Sequence, residues 1–428
     1  MRPLGPAWRV LRVWLLALAA GALGVAATLA FRALLHGIEW LATGHGSGLV
    51  EAARAIPPWQ RVLVATAGGL LAGLVMLLGA RWARAGPAGE RNLDYIDAAR
   101  QGRVDLNDRT TLVRSLASLC SVGTGASIGR EGPMVQLSAW FAATLARCVE
   151  LTPDERKTVL VCGIAAGIAA AYHAPVAAVV FVLELALGFF VPRVAGPVLV
   201  AAACAGALMQ WGVEPTWLYV MRPVQVAPTS LGAAIVAGLV FGAIAWALLG
   251  LLERSRHAFG RIASPVWRLG LGGLLVGLLS VGVPEVWGNG YSVVSSVLQG
   301  QLLWQGLALV LLTKVVATAL SSGSGAIGGV FTPSLLVGAS AGSVLAQLAV
   351  GVLPAAWVGD PRGMAVVGMA AVLAAVTHAP LMAIVMVMEM THQYELLLPA
   401  MLATGVAYAV STGFGVRPLY GNPIEAHS

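Results

Sequence analysis

The sequence predicts an all-α polytopic membrane protein built from two inverted structural repeats. Three observations carry this: an apolar composition, a succession of long apolar spans, and three motif pairs that recur in the same order about two hundred residues apart. Hydrophobic residues make up 58% of the 428 and charged residues only 11%, against about 25% charge in a soluble domain. Mean hydropathy is +0.83.

The apolar spans are Val13–Leu29, Val62–Leu78, Val159–Leu187, Val194–Met209, Leu231–Leu252, Trp267–Val283, Leu303–Leu320, Met364–Met388 and Leu396–Val410. Many reach the ~20 residues that cross a bilayer as a helix. Pro175 and Pro380 interrupt two of them, and broken helices survive at membrane depth only where protein or a water-filled cavity satisfies the freed backbone groups. The pattern fits a pathway better than an anchor.

The repeats are explicit. Ser121–Pro133 (SVGTGASIGREGP) matches Ser321–Pro333 (SSGSGAIGGVFTP) at six of thirteen positions. HAPVAAVVFVLE from His173 matches HAPLMAIVMVME from His378 at seven of twelve, and GGLLAGL from Gly68 pairs with GGLLVGL from Gly272. The offsets are 200, 205 and 204, so whole halves correspond, at about 10–215 and about 228–415 within a single transmembrane domain spanning 1–428. Such repeats are a signature of transporters that bind their ion between the halves. The chain ends soon after its last span, so no cytoplasmic regulatory domain is expected.

Charge sets orientation. Arg2, Arg9 and Arg12 precede the first span, placing the N-terminus in the cytoplasm, whereas Arg254, Arg256, His257 and Arg261 follow the first span of the second half. Corresponding helices then run in opposite directions. The net charge of +7 is distributed over loops, which fits membrane topology and not nucleic acid. The first 30 residues imitate a signal peptide, but the apolar run is too long, and it reads as a retained helix. Cys120, Cys148, Cys162 and Cys204 lack metal-ligand spacing and read as small buried hydrophobes.

Chemistry concentrates at Gly129-Arg130-Glu131-Gly132-Pro133. A glycine-rich approach leads to Pro133, which suits the first position of a helix, so backbone N–H groups at its positive end form an anion site. The copy, Gly329-Val330-Phe331-Thr332-Pro333, offers the same geometry without a charged side chain. Two such termini facing each other make a cradle of amides, weak enough to release a monovalent anion quickly. Glu131 is itself an anion at that terminus. It reads as gate and proton acceptor, occupying the site until displaced or protonated; the alternative is a solvated first-turn residue. Glu184 and Glu389, eleven residues after His173 and His378, read as caps or partners of loop arginines, and the two histidines as turn-and-cap residues. No GxSxG, HExxH or paired-Asp cluster lies in the spans, which leaves an intramembrane enzyme using Glu131 as acid or base only a remote reading.

GREGP at Gly129–Pro133, GxFxP at Gly329–Pro333, PLY at Pro418–Tyr420, WGNGYS at Trp287–Ser292 and the two-repeat layout resemble the CLC family of chloride channels and chloride/proton antiporters, and its bacterial ClcB-like branch in particular. The resemblance covers essentially the whole chain. It implies about eighteen helices, many tilted or partly spanning, and a homodimer in membrane lipid with one pore per subunit and no cofactor. It implies Glu131 as the gate and proton acceptor. The anion-binding set would be Gly129, Arg130, Gly132, Gly329, Val330, Phe331 and Tyr420, with the Val330 and Phe331 amides and the Tyr420 hydroxyl holding a central chloride; Arg130 also suits a loop or interface role. Two departures stand out. The family's GSGIP stretch, whose Ser contacts the ion, is replaced by Gly89-Glu90-Arg91-Asn92-Leu93-Asp94, where Asn92 is a substitute donor. The inner glutamate of the antiporters aligns with Leu185, and a Leu relays no proton. The expectation is therefore passive chloride conduction, with chloride/proton exchange by another route as the alternative. Tyr420 and the Phe331 segment follow the chloride pattern rather than the fluoride one. Arg and Trp usage with repeated Ala and Gly suggests a high-GC bacterial gene, for which the inner membrane is the natural address, and the resemblance suggests a role in acid resistance.

Overall fold

Two of the expected spans are broken where the His-Ala-Pro motifs fall. In the computed structural model, which describes residues 6–84, 94–102, 104, 106–188, 191–213, 218–415 and 417–421, Pro153–Tyr172 ends at His173 and the chain restarts as Pro175–Phe181, continuing through a π-helical turn, Val182–Ala186. Pro361–Thr377 ends at His378 and restarts as Pro380–Thr391. His173 and His378 adopt left-handed φ of 55° and 56°, a conformation that closes a helix, and the proline two residues on cannot prolong the earlier one. The turn-and-cap reading of both histidines holds.

Regular structure among the described residues is helical, in eighteen α-helical segments with short 3₁₀ and π turns, and nine helices there are long and apolar enough to cross a membrane. The first, Pro6–Thr43, has 38 residues and exceeds the ~20 needed to cross, so it crosses at a tilt or projects beyond the hydrocarbon. Pro153–Tyr172 from Thr158 onward, and Pro361–Thr377 from Gly363 onward, are buried at every position. Helices apolar all round belong in the interior, and these two occupy the centre of their respective halves.

The GGLL motifs pack against each other. Helix Pro58–Arg84 crosses Pro265–Gly282, and a Cβ at Gly73 would sit 2.5 Å from Val266 Cα, while one at Gly277 would sit 2.8 Å from Val62 Cα. Gly69 and Gly273 similarly abut the backbone of Leu269 and Ala65. Glycines four apart on both helices let the backbones meet, as small-residue motifs do in membranes.

The second contact between halves is reciprocal. The Glu184 carboxylate accepts from Leu381 N (3.2 Å) and Met382 N (2.6 Å) at the start of Pro380–Thr391. Glu389 accepts from Val176 N (3.0 Å) and Ala177 N (2.8 Å) at the start of Pro175–Phe181. Each helix begins with Pro after an alanine that offers no side-chain cap, so each half caps the other's broken helix. The cap reading holds, with backbone amides as partners.

Candidate functional site

Helices Glu131–Arg147 and Phe331–Val350 begin head to head. The strands of chain entering them form an antiparallel bridge in which Gly129 N donates to Gly329 O (2.7 Å) and Gly329 N to Gly129 O (2.9 Å). This corrects two expectations. The Gly129 and Gly329 amides serve each other and are spent for an anion. Pro133 and Pro333 stand third in their helices, not first, because Arg130 and Val330 are the N-caps, already near helical φ and ψ. The prolines remain in the first turn, where a missing N–H is harmless. The amides of Glu131, Gly132, Phe331 and Thr332 have no carbonyl one turn back within their helices and carry the positive ends of two dipoles.

Glu131 is 7% exposed. Its Oε1 accepts from Asn289 Nδ2 at 2.7 Å, and its Oε2 is buried with no hydrogen-bond partner. A Cβ at Gly129 would fall on that oxygen and close to Gly329 O, so a side chain there would displace the carboxylate from its place over the bridge. A cavity of about 150 Å³ opens beside it, bordered by Arg32, Arg130, Glu131, Tyr172, Tyr219, Asn289 and Thr332. A second cavity, about 120 Å³, borders Gly132 and Gly329 together with Asp94, Tyr95, Arg114, Ser115 and Tyr420. The bridge and the two helix starts lie between them. Phe331 is buried with its ring 4.9 Å from that of Tyr172, and Val330 is buried beside it.

The Tyr420 ring stands edge-on to Phe181 at 6.3 Å. Burial pushes the Tyr420 phenol up, so it stays a hydrogen-bond donor through the neutral range. Arg100, at the end of the short helix Tyr95–Gln101, fixes this segment: Nη1 donates to Tyr420 O at 2.5 Å, and Nε and Nη2 donate to Leu185 O at 3.2 and 2.9 Å. Leu185 itself is buried in the π-helical turn.

The sequence matches the voltage gated chloride channel family over residues 68–412. The chain belongs to the CLC family. It is 45% identical to the ClcB-like chloride channel protein of Ralstonia nicotianae, over 94% of each chain. It is 39% identical to the voltage-gated ClC-type chloride channel ClcB of Salmonella typhimurium, over 96% of this chain and 99% of that one. Among solved structures, a slow cyanobacterial Cl⁻/H⁺ antiporter superposes with a TM-score of 0.83 at 24% identity, over 99% and 98% of the two chains. A CLC-type fluoride/proton antiporter gives 0.76 at 26% identity, over 95% and 96%.

CLC proteins are channels or transporters and not enzymes, and they work without a cofactor. Within this CLC chain, Glu131, Gly132 and Tyr420 border the two cavities, and Arg130 borders the Glu131 cavity and a further one of about 310 Å³ shared with Glu39 and Trp287. Val330 and Phe331 contribute their helix start. Residues 89–93, with Asn92, lie outside the described residues; Asp94 caps Tyr95–Gln101 by accepting from Ile96 N and Asp97 N. Sequence reasoning missed three residues. Asn289 lay in view within WGNGYS, and Lys314 is a lone cation in an apolar span, a signal that ordinarily marks function. Arg100 carries no local signal.

Proposed function

We propose that this protein conducts chloride and other small monovalent anions passively across a bacterial inner membrane, through one pathway in each subunit of a homodimer embedded in lipid, with Glu131 as gate. The observation that carries the reading is the Glu131 carboxylate folded over two opposed helix starts, with a cavity on either side. Arg32 and Arg130 border one cavity and Arg114 the other, but between the cavities an anion meets uncharged first-turn amides, so it binds weakly enough to leave. The carboxylate competes for the same amides, and protonation removes its charge. ClcB of Salmonella typhimurium carries the chloride-channel name at 39% identity, which supports chloride as the ion.

Passive flow is favoured by the surroundings of Leu185. Glu184 is committed to two amides of the other half, and the nearest fixed charge to the Leu185 carbonyl is the Arg100 guanidinium. A cation there disfavours a second positive charge, so it opposes a proton relay. The second reading, anion/proton exchange, is favoured by the likeness to a fluoride/proton antiporter at 26% identity.

Purified protein in chloride-loaded liposomes separates the two. An outward chloride gradient is expected to leave external pH flat, with chloride escaping only when a potassium ionophore balances charge. Uphill proton movement at fixed stoichiometry selects exchange instead. Tyr420→Phe removes one hydroxyl donor and keeps the ring on Phe181, and is expected to weaken apparent chloride affinity about tenfold. Unchanged chloride dependence of the flux removes Tyr420 from the anion site.

A further inference from the structure

The turn that carries WGNGYS has no part in the mechanism above, yet it touches the gate directly. Asn289 is the tip of a tight turn between the 3₁₀ segment Pro284–Val286 and helix Tyr291–Leu298. Its flanking residues, Gly288 and Gly290, have φ of 68° and 91°, values that a side chain resists. Trp287 is fully buried, and Gly290 packs onto Leu336 of helix Phe331–Val350. Under the turn, the buried Lys314 ammonium donates to Val286 O at 2.9 Å and Gly288 O at 2.7 Å. From the turn, Asn289 Nδ2 donates to Glu131 Oε1 at 2.7 Å while Asn289 Oδ1 accepts from Tyr291 N at 3.2 Å. The second bond fixes the amide's orientation: with Oδ1 on a backbone N–H, only the NH₂ can face the carboxylate.

We infer that Asn289 is a positioning residue that latches the charged Glu131 side chain across the pathway, on a turn that Lys314 clamps to the second half of the molecule. The inference rests on Glu131 being the gate. A neutral amide suits a latch that must release. It donates to a carboxylate through a charge-assisted bond, and more weakly once the carboxyl is protonated. An arginine or lysine in the same place would hold the gate shut and would also trap the permeating anion. Here the Lys314 cation bonds two carbonyls of the turn, and the amide of Asn289, not the cation, bonds the carboxylate.

Other groups around Glu131 do not substitute for the latch. Arg130 is the N-cap of the same helix, and Arg32 spends one N–H on Ala171 O at 3.2 Å. Tyr172, Tyr219 and Tyr291 border the Glu131 cavity; the Tyr172 hydroxyl pairs with Thr332, that of Tyr291 donates to Leu218 O, and that of Tyr219 is buried without a partner. Tyr420 faces the other cavity, and Glu39 lies beyond Arg130. The bond to Glu131 comes from Asn289.

The test is the pH dependence of chloride efflux from proteoliposomes for Asn289→Asp, Asn289→Ala, Glu131→Gln and the combination Asn289→Asp/Glu131→Gln. Asn289→Asp keeps Oδ1 for Tyr291 N and replaces the donor by a second carboxylate. Both Asn289 variants are expected to move the acid-activation midpoint upward by about one pH unit, about tenfold in proton concentration, with the acid plateau unchanged. In the Glu131→Gln background the Asn289 substitution is expected to restore no pH dependence, because the carboxyl whose titration the latch shifts is gone. Wild-type midpoints in both variants, while Glu131→Gln abolishes the pH dependence, reject the latch and leave the gate standing. A pH dependence that survives in Glu131→Gln rejects the gate, and the latch with it. If neither Asn289 variant folds, as judged by size exclusion, Asn289 is a structural residue and the latch is rejected.

Discussion

With Glu131 changed to Gln, chloride efflux at neutral pH is expected to rise to the level the wild type reaches in acid, and to stop responding to pH. Gln has the same reach and still offers an oxygen to Asn289 Nδ2, which bonds the wild-type side chain at 2.7 Å. It loses only the negative charge that competes for the helix-start amides. A charge in a partly buried site at a helix N-terminus is worth up to ~2 kcal/mol, so the gain at neutral pH should be roughly ten- to thirtyfold. Isotope efflux from liposomes at several pH values measures it. A folded variant with abolished flux, or one that keeps the wild-type titration, ends the assignment of Glu131 as gate.

A loss of stability is expected when either reciprocal cap is removed. In Glu389→Ala, the N–H groups of Val176 and Ala177 lose acceptors now at 3.0 and 2.8 Å. A backbone donor left without its acceptor costs about 1–3 kcal/mol. Glu184→Ala does the same to Leu381 and Met382. Each change is expected to destabilise by about 2–4 kcal/mol, while Glu389→Gln and Glu184→Gln, which keep one acceptor oxygen, fall between. Thermal unfolding in detergent, followed by tryptophan fluorescence, reads the order. Equal melting of the alanine variants and the wild type would mean that the caps are ornamental.

Eight of the nine spanning helices among the described residues, the repeats and the helix breaks were legible because each has a local cause: bilayer thickness sets the apolar length, and His-Ala-Pro cannot continue a helix; Phe331–Val350 was missed. The placement of Glu131 was legible for the same reason, as a carboxylate at a helix start that its copy, Phe331, leaves uncharged. What escaped depends on approach between distant segments. The start of Glu131–Arg147 fell two residues earlier than the proline signal implied, because the Gly129–Gly329 bridge fixes the chain where a Ser or Asp cap would ordinarily do so. That bridge also spends two amides that the sequence offered to an anion. The carboxylates of Glu184 and Glu389 were read as caps, but their partners lie 197 to 213 residues away, beyond the reach of any local pattern. Asn289 was visible in its motif and its role was not, since its hydrogen bond exists only once the second half folds over the first.

The exchange of caps has a consequence for how the protein is made. Val176 and Glu389 are separated by 213 residues, and a ribosome adding ~5–20 residues per second needs roughly 10–40 s to travel from one to the other. Through that interval the amides of Pro175–Phe181 and the glycine face of Pro58–Arg84 lack the second-half partners they have in the finished fold. They are an unfinished surface that must be kept from false partners, including the same half of another nascent chain. The reciprocal caps therefore close only once the helices that carry their second-half partners have been synthesised.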